Sequence, residues 1–598
     1  MDVPHSRPIA NSPFMVGVSG HRDLASTDVP RLREAVADFV RQLKRELPET
    51  ELRLIVGMAE GADLLVAETA VAEGVNVEAV LPMALTHYAS DFDPDTLAQL
   101  HALLQHPRVS CDELCLPAAE HEALAPHPPD VRDAMYANLT DTLIRRSSLL
   151  LALWDGRVSQ LRGGTADTVL RYLGVRDDDN PGPETLEFVP ATGQDELNER
   201  IVYWMPAARS GAGSTAGSDI ADGLRPPCFV RGSGDNILQV QATMPLVLKR
   251  QLAQLDSYNR EFCELTAAGR LPPSNSLVRG LPAALRLPDR RLLEHIDTQY
   301  GKADALAVYF QRRSDPLFHL FGVMAFIMGF AYLSYEKLNA SRVLLIAYVV
   351  ALFSSLGLYY VLKGKHWFSK HLTYRALAET LRARFYLRLA GADRRVDAEE
   401  VLALSGIERF RGFGWIAFVL KGIEAPDDGA VLRELDAREV SSLEQVWIES
   451  QFGYFTRKVG ELERSSHRMK LVRRVIFAAI LVAIAVLFMF GETLHRIDMG
   501  TGIPVRNILT FAMGVLAVLL GVWELHQDKM ATRELLWQYR NQLSHFSRAR
   551  TLLARLTSPV RRNSVLAELG RDSLMESYLW AIHRYHREHE PPSAGAGS

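Results

Sequence analysis

The chain has 598 residues, 67 Lys+Arg against 71 Asp+Glu, a formal net charge of −4 and 4 cysteines. The length admits several domains with ordinary cores. The balanced charge excludes a general polyanion-binding surface, so no nucleic-acid polymer is expected as a partner, and the scarce cysteines exclude a secreted disulfide framework.

The opening "MDVPHSRPIANSP" is polar and proline-broken and is not expected to act as a signal peptide. From residue 14 to 206 apolar strands then alternate with helical patterns. "MVGVSG" is a buried strand. Thr27 or Asp28 is placed to cap a helix in which Leu32, Val36, Phe39, Val40, Leu43 and Leu47 recur at helical spacing. "LRLIVGMA" is the next strand, followed by a helix from Gly61 to Gly74. "VNVEAVLPM" and "SLLLALWDG" are further strands, "GGTADTVLRYLG" opens another helix at a Gly-Gly turn, and "ERIVYWMP" closes the series. This rhythm predicts an open, largely parallel α/β sheet, whose ligands bind at the carboxyl ends of the strands.

Three glycine turns fall at those ends: Gly17 to Arg22, including Gly20 and His21; Gly57 to Asp63, including Glu60 and Gly61; and Asp155-Gly156 with Gly163, Gly164 and Thr165. Glycine lets a ligand approach the main chain, and free amides at the helix start near Thr165 favour a phosphate. Arg22 is either a clamp for phosphate or carboxylate, with His21 a base or ribose contact, or a loop-holding partner of Asp23 or Asp63. Asp63 bonds a ribose or caps its helix. Glu60 and Asp155 are the other carboxylates placed for acid/base work. Cys111 and Cys115, among His101, His106, His121 and His127, lack a second close ligand pair and read as ordinary loop residues, so no metal is expected.

Ala207 to Gly223 is rich in Gly and Ser, and 207–287 reads as linker and helical connector without further strands. Four runs then lack Asp, Glu, Lys and Arg: 317–335, 343–362, 475–490 and 508–523. Each is about 16 to 20 residues long, against ~20 for a spanning helix. "IDTQYG" (296–301) reappears as "IESQFG" (448–453), each on a polar helix that enters a two-span hairpin and leaves as a charged helix. The C-terminal half therefore reads as two modules, 288–395 and 440–556, joined by a cytoplasmic connector at 396–439 and followed by a helix and tail at 557–598. Arg312, Arg313, Lys363, Lys365, Lys370 and Arg468 begin a basic set on one side of the hairpins, continued by Lys470, Arg473, Arg474, Lys529 and Arg533. The hairpin loops hold only Lys337, Arg342, Arg496 and Arg506, which predicts cytoplasmic termini.

"GVSGHRDL", "GMAEGADLLVAE", "WDG" and "GGTADTV" resemble the SLOG superfamily over residues 14–206. The resemblance implies a Rossmann-like fold shared by sensors of nucleotide-derived ligands and by cytokinin-activating phosphoribohydrolases, with Gly163, Gly164 and Thr165 as its phosphate-binding loop. The hairpins, with "YRALAETLR" (Tyr374 to Arg382) after the first, resemble SLATT modules, two-span membrane domains that accompany such sensors. Together they imply a bacterial conflict or antiphage effector. The hydrolase branch carries a glutamate three residues after the threonine of a "PGGxGT" loop. Here "RGGTADT" has no proline, one glycine fewer and Thr168 at that position, with Asp167 one residue too early.

The expectation is thus an α/β Rossmann-like sheet plus an all-α membrane domain of four transmembrane helices. It would sense a nucleotide-derived small molecule without a cofactor and act on the lipid bilayer of the cell membrane as a homo-oligomer. The alternative is a membrane-tethered nucleotide or nucleoside hydrolase using Glu60, Asp63 or Asp155; a scaffold with a degenerate pocket is a third reading.

Overall fold

The computed structural model describes residues 11–114, 129–177, 180, 182–191, 200–210, 226–233, 236–273, 276–282, 290–391, 412–423, 441–497, 503–529 and 532–589. The chain divides into two compact units. One combines Met1–Arg270, Leu287–Gln299 and Asp397–Glu434; the other combines Leu271–Arg286, Tyr300–Val396 and Leu435–Ser598.

The first unit is built on a sheet. Its strands are β1 (Phe14–Gly20), β2 (Leu52–Val56), β3 (Asn76–Leu81), β4 (Val109–Glu113), β5 (Leu149–Trp154), β6 (Glu187–Pro190), β7 (Val202–Pro206), β8 (Cys228–Gly232) and β9 (Ile237–Gln241). They lie in the order β4-β3-β2-β1-β5-β7-β8-β9-β6. Every neighbouring pair from β4 across to β7 is parallel. The connecting helices are α1 (Val29–Glu46), α2 (Ala62–Ala72), α3 (Pro94–Leu104), α4 (Pro129–Arg146) and α5 (Thr165–Tyr172). β1 and β5 are central strands covered on both faces, which is why they read as unbroken apolar runs rather than alternating ones. Each large apolar side chain buried there contributes about 1.5–3 kcal/mol. From β1 the chain moves outward through β2, β3 and β4, then returns to β5 on the other flank of β1. The crevice between the carboxyl ends of β1 and β5 is therefore the topological switch point.

The sheet does not end at residue 206. β8 and β9, inside the stretch read as linker and connector, form an antiparallel hairpin on β7, and β6 joins β9 in parallel. Each is only five residues long and neither alternates buried with exposed residues along its length, so nothing in them stands out against the helical pattern that follows. The start of the presumed linker is also pinned: the Ala25 amide donates to Ala208 O at 2.9 Å and the Ser210 amide to Asp23 O at 2.7 Å. The remainder of the Gly/Ser-rich stretch lies outside the described residues. Asp28 stands at the start of α1 but caps no amide of that helix. Its carboxylate instead holds Arg31 and accepts the Ala208 amide at 3.1 Å.

Two helices distant in sequence complete this unit. α6 (Leu246–Ala267) docks through Asn259, which accepts the Ser12 amide at 3.1 Å and donates to Ser12 O at 3.0 Å. α10 (Ile416–Ile423), inside the segment read as a connector, is buried along its whole length. Phe418 packs edge-on against Phe14 with ring centroids 5.1 Å apart, and Lys421 Nζ donates to Ser147 O at 2.8 Å.

The second unit is helical: α7 (Arg290–Lys337), which enters it at Tyr300 after a start counted with the first unit, α8 (Arg342–Lys365), α9 (Trp367–Leu389), α11 (Ser450–Arg496), α12 (Val505–Lys529), α13 (Thr532–Leu553) and α14 (Pro559–His589). Four of its helices are long and apolar enough to cross a membrane, and their apolar windows are almost wholly unburied by protein, as in a multi-pass membrane protein. The duplication appears directly in the element lengths: 48, 24 and 23 residues for α7, α8 and α9 against 47, 25 and 22 for α11, α12 and α13. Each polar helix and the first span it enters are one continuous helix, about 70 Å long at 1.5 Å per residue. The third helix of each copy carries a Tyr-Arg pair that binds back to the first. Arg375 meets Asp304 at 3.0 Å, and Arg540 meets Glu463 at 2.6 Å.

Candidate functional site

His21 and Asp155 end the two strands that flank the switch point. β1 and β5 pair through Gly20 and Leu153, and the next residue's amide, His21 N–H, donates to Leu153 O at 3.1 Å. That register puts His21 Nε2 3.1 Å from Asp155 Oδ1 and 3.0 Å from the Asp155 amide nitrogen. Burial pushes the Asp155 carboxyl upward, but hydrogen bonds from His21 and the Arg157 amide outweigh it and hold the group below the ordinary aspartate range. Asp155 is therefore a charged anchor for the imidazole rather than an acid.

Arg22 points away from this pair. Its guanidinium lies over the Tyr136 ring of α4, 5.1 Å from the centroid. Neither Asp23 nor Asp63 claims it: Asp23 pairs with Arg209 at 2.9 Å, and among the described residues Arg22 is in no ion pair. Tyr136 in turn donates to Asp91, which also holds Arg132. Asp91, Arg132 and Tyr136 were not found by sequence reasoning, because no motif marks them and α4 lies more than a hundred residues from β1.

Asp63, in the first turn of α2, is buried and accepts the Ala59 amide at 3.2 Å. It caps no amide of α2 and instead ties down the turn that precedes the helix. Desolvation raises its pKa to about 7, against the smaller opposing pulls of the Ala59 amide and the nearby Arg22 charge. Glu60 is solvent-exposed on the turn before it.

The glycines contribute differently from the sequence reading. Gly17 lies inside β1, paired with Ile55 and Leu150. A Cβ there would sit 1.9 Å from Ser147 Oγ, so Gly17 is a packing residue and not part of a ligand edge. A Cβ at Gly20 would meet Ala62 Cβ at 2.3 Å, and one at Gly57 would meet the Leu139 side chain at 2.9 Å. Gly61, at φ +82°, brings α2 onto the carbonyls of His21 and Arg22, with the Ala62 amide donating to His21 O at 3.0 Å. These absences of a side chain let the two loops seat against each other, which fixes Arg22, rather than leaving room for a ligand.

At the third turn Gly163, at φ +76°, lies against the Tyr136 backbone, so the Gly-Gly-Thr loop and Arg22 share one neighbour. The Gly163 amide is taken by Asp167 Oδ2 at 2.9 Å, and the other oxygen of Asp167 meets Arg176 at 3.2 Å. Asp167 is consumed by this buried pair. Thr168 is also buried, donating to Gly164 O at 3.1 Å. The amides of Thr165, Ala166 and Asp167 carry no hydrogen bond among the described residues, and with the half-exposed Thr165 side chain they form the open end of α5. The structure thus brings His21, Arg22, Asp63, Asp155 and the Gly163–Thr165 loop to one edge of the sheet, and removes Gly17 from it.

A separate cavity of about 440 Å³ lies toward the C-terminal ends of α4 and α5, hence the opposite end of β5. Of the arginines lining it, Arg171 holds Asp141 and Arg176 holds Asp167, so they serve the fold. Of the cysteine and histidine set, Cys115, His121 and His127 lie outside the described residues. Among the described residues no three metal-binding side chains cluster.

No protein-family model matches this chain, and no curated protein matches it.

Proposed function

We propose that the chain is a membrane-anchored sensor. Its α/β unit binds a phosphorylated, nucleotide-derived small molecule at the switch point, and its spanning helices act on the bilayer as a homo-oligomer. The observation that carries this reading is that Arg22, a cation in no ion pair among the described residues, lies over the Tyr136 ring, while Gly163, in the loop that leads into the unbonded first amides of α5, lies against the Tyr136 backbone. Together they are an anion site of the type that takes phosphate. The resemblance to SLOG and SLATT proteins adds the sensor-effector arrangement and antiphage defence as its setting.

ADP-ribose is a suitable probe, because both phosphates of its pyrophosphate are fully ionised at pH 6 and at pH 8, so its own charge does not change. Calorimetry on the full chain in lipid nanodiscs is expected to show binding that Arg22→Ala weakens by about 1.5–3 kcal/mol. Asp63, titrating at about 7, adds a negative charge beside the site as pH rises. Binding should therefore weaken up to about tenfold from pH 6 to pH 8, and Asp63→Asn should flatten that dependence. No heat of binding with phosphorylated nucleosides, or equal affinity in Arg22→Ala, rejects the site.

Asp63 also favours a second reading, a tethered nucleotide hydrolase, because a carboxyl titrating near neutrality suits general acid/base work. Asp155 is held by His21 and Glu60 faces solvent, leaving Asp63 as its acid. Chromatography of the recovered probe separates the two: intact ADP-ribose supports the sensor, and a released base or sugar phosphate supports the hydrolase.

The cell membrane, with both termini cytoplasmic, is the proposed location, on the strength of the basic residues flanking the hairpins. A reporter fused after Asn339 should read extracytoplasmic and one at Ser598 cytoplasmic; the reverse pattern inverts the topology.

A further inference from the structure

The four spanning helices stand in an open row. α7 and α12 form its middle and are antiparallel. Gly329 faces Val518 and Gly514 faces Leu333 so closely that a Cβ on these glycines would sit 2.5 and 2.9 Å from the partner side chain. The rings of Phe330 and Phe511 are 5.5 Å apart. α8 flanks α7, with Tyr332 and Tyr348 ring centroids 6.4 Å apart, and α11 flanks α12, with Arg473 3.6 Å from Glu524. Each outer helix shields a single stripe: Leu344, Tyr348, Ala351, Ser355 and Leu358 on α8, and Ile476, Ile480, Ala483 and Leu487 on α11. The opposite faces are exposed, Phe353 at 65% and Phe488 at 90%.

The duplication says what belongs there. It maps α7 onto α11 and α8 onto α12. The contact between the two modules is thus the first helix of one copy against the second helix of the other. Applying the same relation once more sets α11 against an α8, and a second copy of the chain supplies it. We infer that α11 of one copy packs antiparallel on the outer face of α8 of the next, joining the chains head to tail. This rests on the homo-oligomer proposed above.

The side chains fit. The outer face of α11 presents Ala478, Leu481, Ala485 and Phe488 at the three- and four-residue spacing of a packing seam; that of α8 presents Val343, Ile346, Val350 and Phe353. The heights of the helices follow from the three contacts above, which step from Tyr348 through Tyr332 and Val515 to Val482. At that level, within about a turn, Phe353 of one copy meets Ala478 of the next and Ile346 meets Ala485. Large side chains enter slots left by small ones, as Val518 and Leu333 enter slots at Gly329 and Gly514. In lipid, where apolar burial gives no advantage over acyl chains, such close packing is what drives helices together. A heterologous contact of this kind closes into a ring when the rotation from copy to copy divides a full turn evenly, and a signal that favours one packing of the row then reaches every copy at once.

Cysteine pairing tests this in membranes of cells making the full chain, with the four native cysteines replaced. Copies bearing Phe353→Cys are mixed with copies bearing Ala478→Cys and treated with a mild oxidant, since a disulfide needs Cβ atoms roughly 4 Å apart. The mixture should give a covalent dimer, either variant alone at least tenfold less, and the double variant a ladder of multimers. Ala485→Trp, which fills the slot for Ile346, should reduce the mixed cross-link at least tenfold. Equal cross-linking by Phe353→Cys alone keeps an oligomer but overturns this interface. An uncross-linked mixture that is oligomeric by mass in nanodiscs overturns it as well, whereas a monomer by the same measurement removes the homo-oligomer too.

Discussion

Gly61→Val should unfold much of the sheet-bearing unit, at a cost of about 4 kcal/mol or more. Two separable effects add. A β-branched residue at φ +82° is strained by about 1–3 kcal/mol. Its Cβ would also sit 2.2 Å from Arg22 O and 2.7 Å from His21 O, both rigid backbone atoms, so the two loops must part. Gly174→Val is the control: it shares the positive φ, at +71°, but nothing lies within 4 Å of its added Cβ, so strain acts alone. Pulse proteolysis of the purified full-length protein across a urea series should show Gly61→Val far more cleavable than Gly174→Val. Equal resistance of the two would mean that the loops yield easily and that Gly61 does not position Arg22.

Glu78→Ala should destabilise the same unit by about 3–5 kcal/mol. Glu78, in the middle strand of β2-β3-β4, is buried and held by both nitrogens of the Arg146 fork at 2.5 and 2.9 Å. Removing the carboxylate leaves a buried guanidinium without its counter-charge, which is worse than never having buried either group. The double variant Glu78→Leu, Arg146→Met replaces the pair by apolar groups of similar length and should regain most of the loss. The urea midpoint of each protein reads this directly; a Glu78→Ala midpoint equal to the parent's would show that water reaches Arg146.

The arrangement of Glu78 and Arg146 illustrates where legibility stops. A charged residue inside "VNVEAVLPM" announces that a partner exists, yet nothing in the sequence says which of 67 basic residues it is. The candidate site divides in the same way. Turns that break apolar runs have local causes, so His21, Arg22, Asp63, Asp155 and Gly163 to Thr165 were recognisable as strand-end residues from sequence. Gly17 was misassigned because a glycine inside a strand and one at its end look alike until Ser147, from another strand's approach, is seen to need its space. Tyr136, Asp91 and Arg132 were invisible, being ordinary helix and loop residues made relevant by the folding of α4 across the edge of the sheet.

By itself the sequence determined what depends on near neighbours along the chain. That includes the parallel α/β core from unbroken apolar strands, four membrane-length helices from uncharged runs, and the doubled helix-hairpin-helix from a repeated hexapeptide. Such patterns are legible because burial on both faces of a strand, or on all sides in lipid, dictates composition residue by residue. Only the tertiary structure decided that β8 and β9 extend the sheet and that α10, from a segment read as connector, closes its core. It also showed that the Arg22 guanidinium lies over Tyr136 instead of pairing with Asp23. These depend on contacts between segments tens to hundreds of residues apart, where many partners satisfy the same hydrophobic or charge requirement and the geometry of the assembled sheet selects one.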